Sequence, residues 1–277
     1  MKELIISGLM FCCFGLIVPV SADTLLLQQS ANIFPVDHGE MGIDLNYSFD
    51  EWVQVVTNND FTRRETTIAL QARYSLKDNI ELRVFMPYLS WKQTQTSSVD
   101  RTNDGLGVVA IGAKYNLSND ITQMFKTAVA LDLDLPTGDP AKELGKGLNF
   151  ELTGIGSMKV DPFDFHVNIG YKFTGAYINT NLVSVDIGDI LKYGVAIEYP
   201  LSGSILVIAE GVGTSFSDYK VAGSAFAGTG GSTIDVLAGV RLNIDKMKIK
   251  LGVDFSLGDS AYRPYMWKII LGQSYLF

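Results

Sequence analysis

The most regular feature of this chain is alternation. Met41, Ile43, Leu45, Tyr47 and Phe49 alternate with Gly42, Asp44, Asn46, Ser48 and Asp50. That is the period-2 pattern of a strand with one apolar and one polar face. It recurs at Ile68, Leu70, Ala72 and Tyr74, at Ile80, Leu82, Val84 and Met86, and at Val109, Ile111, Ala113 and Tyr115. Further repeats run through Val129, Leu131 and Leu133, through Phe165 to Phe173, and through Leu191 to Tyr199. Near the end they run through Ile234 to Leu242 and Ile249 to Leu257. Two segments are less regular. In 148–160, Gly154 and Gly156 interrupt the apolar face, and 205–216 is apolar on both faces, so the pattern assigns it no register. The last stretch, 266–277, places Trp267, Ile269, Leu271, Gln273, Tyr275 and Phe277 on one face.

About twelve strands result, and their connections alternate. Long ones are expected near 51–64, 90–105, 136–147, 175–189, 217–232 and 258–265. Short ones are expected near 77–79, 118–123, 160–163, 200–204 and 245–247. A soluble sandwich has no reason to put every long loop at one end, whereas outer-membrane barrels have short periplasmic turns and long outer loops. The pattern therefore predicts an all-β fold, a transmembrane antiparallel up-and-down β-barrel of about 12 strands, with both chain termini on the periplasmic side. Aromatic residues close many apolar faces, as interfacial girdles do. The polar faces would line the lumen. Candidate lumen residues are Asp44, Arg73, Glu81, Arg83, Lys114, Lys126, Asp132, Asp134, Lys172, Arg241, Lys250 and Asp254. A hairpin centred on Asp78 would set Arg73 beside Arg83 in a mixed-charge constriction.

The front of the chain changes the picture of location. Lys2, an apolar run over 4–18 and the small-residue site Val20-Ser21-Ala22 read as a secretory signal over residues 1–22. Residues 23–38 show no period and are expected to be a periplasmic segment or a partial plug, with the barrel over 39–277. Both cysteines, Cys12 and Cys13, fall inside the leader, so the mature chain would offer no disulfide and no thiolate metal site. The leader holds one Lys and one Glu, so its removal leaves the net charge at −8. Such acidity argues against a nucleic-acid partner. The partners expected are outer-membrane lipids, the barrel-assembly machinery and a small-molecule solute.

Three stretches carry a family likeness: Gly105-Leu106-Gly107-Val108-Val109-Ala110-Ile111-Gly112-Ala113-Lys114-Tyr115, Leu135-Pro136-Thr137-Gly138-Asp139 and Val167-Asn168-Ile169-Gly170-Tyr171. Their order and contexts resemble the outer-membrane barrels of the MetA-pathway of phenol degradation family. Val108 stands where that family often has Asp. The resemblance implies a channel or transporter for small, often aromatic, compounds. The closing strand resembles the C-terminal assembly signal of bacterial outer-membrane barrels, with Gly272, Tyr275 and Phe277 at the matching positions and Ile270 in place of the usual polar residue. Leu-Pro-Thr-Gly-Asp also reads simply as turn chemistry, since Pro136 ends a ladder and Gly138 tolerates positive φ.

An outer-membrane hydrolase is the enzyme alternative. It would need a histidine beside a nucleophile, and the chain has only His38 and His166, both expected near the periplasmic rim. No enzyme and no cofactor is expected. A structural or adhesive barrel without transport is the other alternative, and whether the lumen is open or plugged is left to the structure.

Overall fold

The computed structural model describes residues 29–32, 37–54, 59–95, 100–118, 124–145, 147–178, 183–225, 229–258 and 265–277. The expected leader and residues 23–28 lie outside them. In chain order the strands are β1 (Gly39–Gln54), β2 (Asn59–Lys77), β3 (Ile80–Gln95), β4 (Arg101–Leu106), β5 (Ala110–Asn116) and β6 (Phe125–Asp134). Then follow β7 (Asn149–Val160), β8 (Phe163–Phe173), β9 (Tyr177–Ile178), β10 (Ser184–Asp186), β11 (Ile190–Pro200) and β12 (Ile205–Phe216). The last are β13 (Lys220–Val221), β14 (Ser224–Ala225), β15 (Gly231–Ile244), β16 (Met247–Ser256) and β17 (Trp267–Leu276).

Every neighbour in the main sheet is antiparallel, and the ring is closed by β1 on β17, with Leu45 opposite Leu271. β4 and β5 both pair with β3, as one barrel strand broken at 107–109. The result is a closed 12-strand antiparallel β-barrel. Closure leaves no open edge in the wall, which is why a sheet can stand in hydrocarbon at all. The first family-like stretch, from Gly105 on, lies at the break. There Gly107 N–H donates to Pro87 O at 2.8 Å, and Thr137 Oγ1 donates to Gly107 O at 2.8 Å. A Cβ on Gly107 would come within 2.1 Å of the Leu89 side chain.

The alternation resolves into two faces. On β3 the burial strictly alternates from Glu81 to Gln93, with Glu81, Arg83, Phe85, Leu89, Trp91 and Gln93 inward and Leu82, Val84, Met86 and Tyr88 outward and exposed. Exposed Val167, Ile169, Val195, Val236, Val253 and Leu271 continue that outer band around the barrel. Rings bracket it. Phe163 packs with Phe165 and Tyr199 at the short-turn end, and Phe150 stacks on Phe173 beside Tyr171 at the long-loop end.

The structure also corrects the expected extents. The 51–64 and 90–105 stretches are mostly strand: β1 runs to Gln54, β2 starts at Asn59, and β3 runs to Gln95. Beyond the apolar band the outward residues turn polar, as Arg64, Ser90 and Lys92 do, so the ladder continues without an apolar outer face to mark it. Loops 175–189 and 217–232 contain β9, β10, β13 and β14, which form a separate small sheet. In β7, Gly154 and Gly156 face outward, and Ile169 and Phe125 lean over them with atoms 3.7 and 3.6 Å from where their Cβ would be. β12 is apolar on both faces because Ile208 points inward and clusters with Ala196, Leu237 and Ile270. Ile270 likewise accounts for the imperfect alternation of the closing strand.

Candidate functional site: a charged lumen occupied at both ends

Strand alternation puts the polar half of each strand inside the ring. Asp44, Arg73, Glu81, Arg83, Lys114, Asp132, Asp134, Lys172, Arg241, Lys250 and Asp254 are all buried on the lumen side. A charge so enclosed needs a partner, and each finds one. Arg83 grips Asp132 with Nε donating to Oδ1 at 2.7 Å and Nη2 bonded to Oδ2. Lys114 lies 3.2 Å from Glu81, Lys172 lies 2.6 Å from Asp134, and Lys250 lies 3.5 Å from Asp44. Arg73 and Arg83 are opposite each other across the hairpin. Their side chains nevertheless diverge, because Arg73 takes Glu40 at 2.8 Å instead. The charges expected in one constriction thus divide into short ion-pair groups around the wall, with Glu81 lying 3.9 Å from Arg73 as well as beside Lys114.

Several partners carried no strong sequence signal. Glu40 starts β1 before the alternation is established and is shared by Arg73 and Lys248. Glu198 holds Arg241 through two parallel hydrogen bonds of 2.9 and 3.1 Å. Removing one member of a buried pair costs about 3–5 kcal/mol, while replacing both by apolar groups is far milder. E198A is accordingly expected to lower the urea midpoint of the refolded barrel markedly. E198M/R241M should recover most of the loss, and a midpoint unchanged by E198A would show the pair to be hydrated and weak.

Gly272, read as part of the assembly signal, has a packing role in the lumen. A Cβ there would lie 2.3 Å from Asp44 Oδ1 and 2.8 Å from Lys250 Cε. The gap lets that ion pair fold across the closing strand. Tyr275 and Phe277 are exposed on the outer face.

Near the short-turn end, residues 29–31 lie buried inside the barrel, and Asn32 beside them is exposed. Gln29 exchanges two hydrogen bonds with Asn168, its N–H donating to Oδ1 at 3.2 Å and its carbonyl accepting from Nδ2 at 2.9 Å. Its side chain accepts from Arg83 at 2.6 Å. Lys114 Nζ donates to the carbonyls of Ser30 and Asn32 at 3.1 and 2.8 Å. Asn116 donates to Ala31 O, and Lys126 donates to Asn32 Oδ1, both at 3.0 Å. Ala31 N–H donates to Ser157 Oγ at 2.9 Å, and Ala31 packs on Ala128, Ala130 and Ile155. Ser157 is also 2.8 Å from His166 Nδ1. The serine–histidine pair thus sits under the segment as an anchor. His38 is exposed at the rim.

At the long-loop end two further elements turn inward. Tyr265 is buried, donates to Asp254 at 2.6 Å and accepts from Lys268 at 2.9 Å. Opposite, the 135–148 connection carries a short 3₁₀ turn, Pro140–Lys142, capped by Asp139, whose carboxylate accepts from Ala141 N–H. This connection includes the Leu-Pro-Thr-Gly-Asp stretch. It presents Leu144 to Leu89 and Trp91 inside the mouth. Among the described residues no cluster of three or more His, Cys, Asp or Glu could hold a metal ion.

Solved structures share this architecture. The COG4313 outer membrane channel from Pseudomonas putida F1 superposes with a TM-score of 0.73 at 11% identity, over 89% of this chain and 98% of that one. The translocator domain of the autotransporter NalP from Neisseria meningitidis gives 0.57 at 11% identity, over 89% and 91%. The β domain of the Bordetella autotransporter BrkA gives 0.54 at 14% identity, over 87% and 100%. At those identities the likeness is one of fold, that of the outer-membrane β-barrels. A comparison with curated protein sequences finds no match. The family model described as "Putative MetA-pathway of phenol degradation" matches residues 42–265, from β1 to the loop before β17, and the chain belongs to that family.

Proposed function

We propose that this barrel is a passive outer-membrane channel for small molecules, with hydrophobic or aromatic compounds as the solutes to test first. The observation that carries the reading is the enclosed lumen: an interior lined mainly by charged and polar side chains, inside an apolar exterior, that its own N-terminal segment enters at one end. A structural barrel has no need of a lumen wide enough to admit a strand of chain. The P. putida protein with the same fold is itself described as an outer membrane channel, and the family description points to phenolic compounds. The chain offers no nucleotide-binding motif, so passage would run down a gradient. On this reading residues 1–22 direct export, residues 29–32 are an internal plug, and Ser157–His166 fastens that plug rather than attacking a substrate.

Purified protein in planar bilayers, followed by liposome uptake of matched aromatic and aliphatic solutes, tests the proposal. Conductance with faster uptake of aromatic solutes is expected. Neither conductance nor uptake, with the N-terminal segment present or removed, would leave a structural or adhesive barrel as the better account.

A further inference from the structure

The 135–148 connection is built too firmly for a surface loop. Gly138 and Gly145 touch so closely that a Cβ on the first would lie 2.0 Å from Leu144 O, and one on the second 2.1 Å from Gly138 O. Thr137 Oγ1 accepts from Val109 N–H at 2.9 Å, tying the loop base to the break between β4 and β5. Glu143 follows the 3₁₀ turn at φ 60, a left-handed conformation that non-glycine residues adopt only where their surroundings impose it. Its side chain is buried and meets two guanidiniums, Arg63 at 3.2 Å and Arg101 at 2.9 Å. These arginines lie at one level of the wall, since Arg63 pairs with Gln93 and Gln93 pairs with Arg101.

Between them is Trp91, 2% exposed in a channel mouth. Arg63 lies over its ring at 4.6 Å and Arg101 at 5.7 Å, and its indole N–H donates to Lys142 O at 3.1 Å. Leu144 covers what remains. Glu65 also pairs with Arg63, at 3.2 Å. Two carboxylates thus balance two guanidiniums, and Arg101, half exposed at the rim, depends on Glu143 for its share.

We propose that the β6–β7 loop is the selectivity element of this mouth and that Glu143 is its specificity-determining residue. The carboxylate latches the loop over Trp91 by joining β2 to β4, and it cancels the excess positive charge that would otherwise draw anions in. The solutes it favours are uncharged and small. Rings of fixed charge set ion preference in pores, and a narrow low-dielectric mouth focuses that field. The inference rests on the channel reading for its selectivity but not for its latch.

The test uses E143Q, which keeps shape and removes charge, and the double variant R101Q/E143Q, which restores the charge balance without the latch. Heat-modifiable migration on detergent gels checks that each has folded. In a salt gradient, E143Q should shift the reversal potential toward anion selectivity, and R101Q/E143Q should return it. In a W52F/W267F background Trp91 is the single tryptophan, and acrylamide should quench it severalfold more in both variants than with Glu143 present. An E143Q reversal potential equal to that of the parent would overturn the selectivity role, and equal quenching would overturn the latch. If no variant conducts, the channel reading and Glu143's selectivity role fall together. The quenching measured on the same samples would still decide the latch.

Discussion

Val167→Arg is expected to destabilise the barrel by about 2–4 kcal/mol, the cost of a charge facing lipid near the bilayer midplane. Val167 is 54% exposed on the outer face of β8. Its strand runs from Phe163 to Phe173, with aromatic clusters at each end. At ~3.3 Å per residue those ends are roughly 33 Å apart along the strand. Tilted as barrel strands are, that covers an apolar band about 25 Å tall. Val167 is near its middle, where no water reaches a guanidinium and its long stem must bend toward a distant interface. Leu131→Arg and Val253→Arg, on other strands of the same band, should behave alike. The neighbouring lumen change Asn168→Ser should cost less, since its loss is confined to the two hydrogen bonds with Gln29 and no charge meets lipid. Urea unfolding and refolding in lipid vesicles would give the values. Equal losses for V167R and N168S would reverse the assignment of inside and outside.

The facing of these residues was legible because the side-chain period of a strand is two and the lumen is polar. Wherever both conditions hold, as on β1, β3 and β8, sequence and structure agree residue by residue. The pattern fails where the second condition does. β12 could not be registered because Ile208 belongs to an apolar cluster inside the lumen. β2 and β3 outrun their expected ends because polar residues such as Arg64, Ser90 and Lys92 replace the apolar ones on the outer face, which removes the contrast. The break after Leu106 was visible only as a glycine-rich motif, since Gly107 makes a close approach to Leu89 and Pro87 rather than a change of polarity.

The candidate site was legible as a list and not as a network. Each charged lumen position follows from the alternation, but the pairing follows from strand register, which alternation alone does not supply. Arg73 meets Glu40, the residue opposite it on β1, and Arg83 reaches Asp132 across Gly112, which has no side chain to part them. Glu143 lay in a loop, outside any period. The one available hint was Leu144, an apolar residue in a polar connection, which the structure buries on Trp91. Residues 29–32 gave no signal either, because a segment held by its own backbone groups needs no side-chain pattern.

That segment carries the other large effect. Deleting residues 24–32 with the leader retained is expected to raise single-channel conductance severalfold while leaving the barrel folded. Eight hydrogen bonds hold the four described residues, donated or accepted by Arg83, Lys114, Asn116, Lys126, Ser157 and Asn168. Ordering a residue's backbone costs about 1–2 kcal/mol. A hydrogen bond returns about 0.5–1.5 kcal/mol net, and about 1.5–3 kcal/mol when one partner is charged, as half of these are. With two bonds per residue the docked arrangement wins, so the intact channel should be narrowed most of the time. The hydrogen-bond partners sit on β3, β5, β6, β7 and β8, strands that are also tied by full ladders. Losing the segment therefore leaves the wall intact. Lys114 keeps Glu81, and Arg83 keeps Asp132, so no buried charge is orphaned. Planar-bilayer recordings of the deletion beside the full chain, with heat-modifiable migration as the check on folding, measure the effect. Equal conductance would mean that solutes pass beside the segment and that it supports the wall rather than closing the lumen.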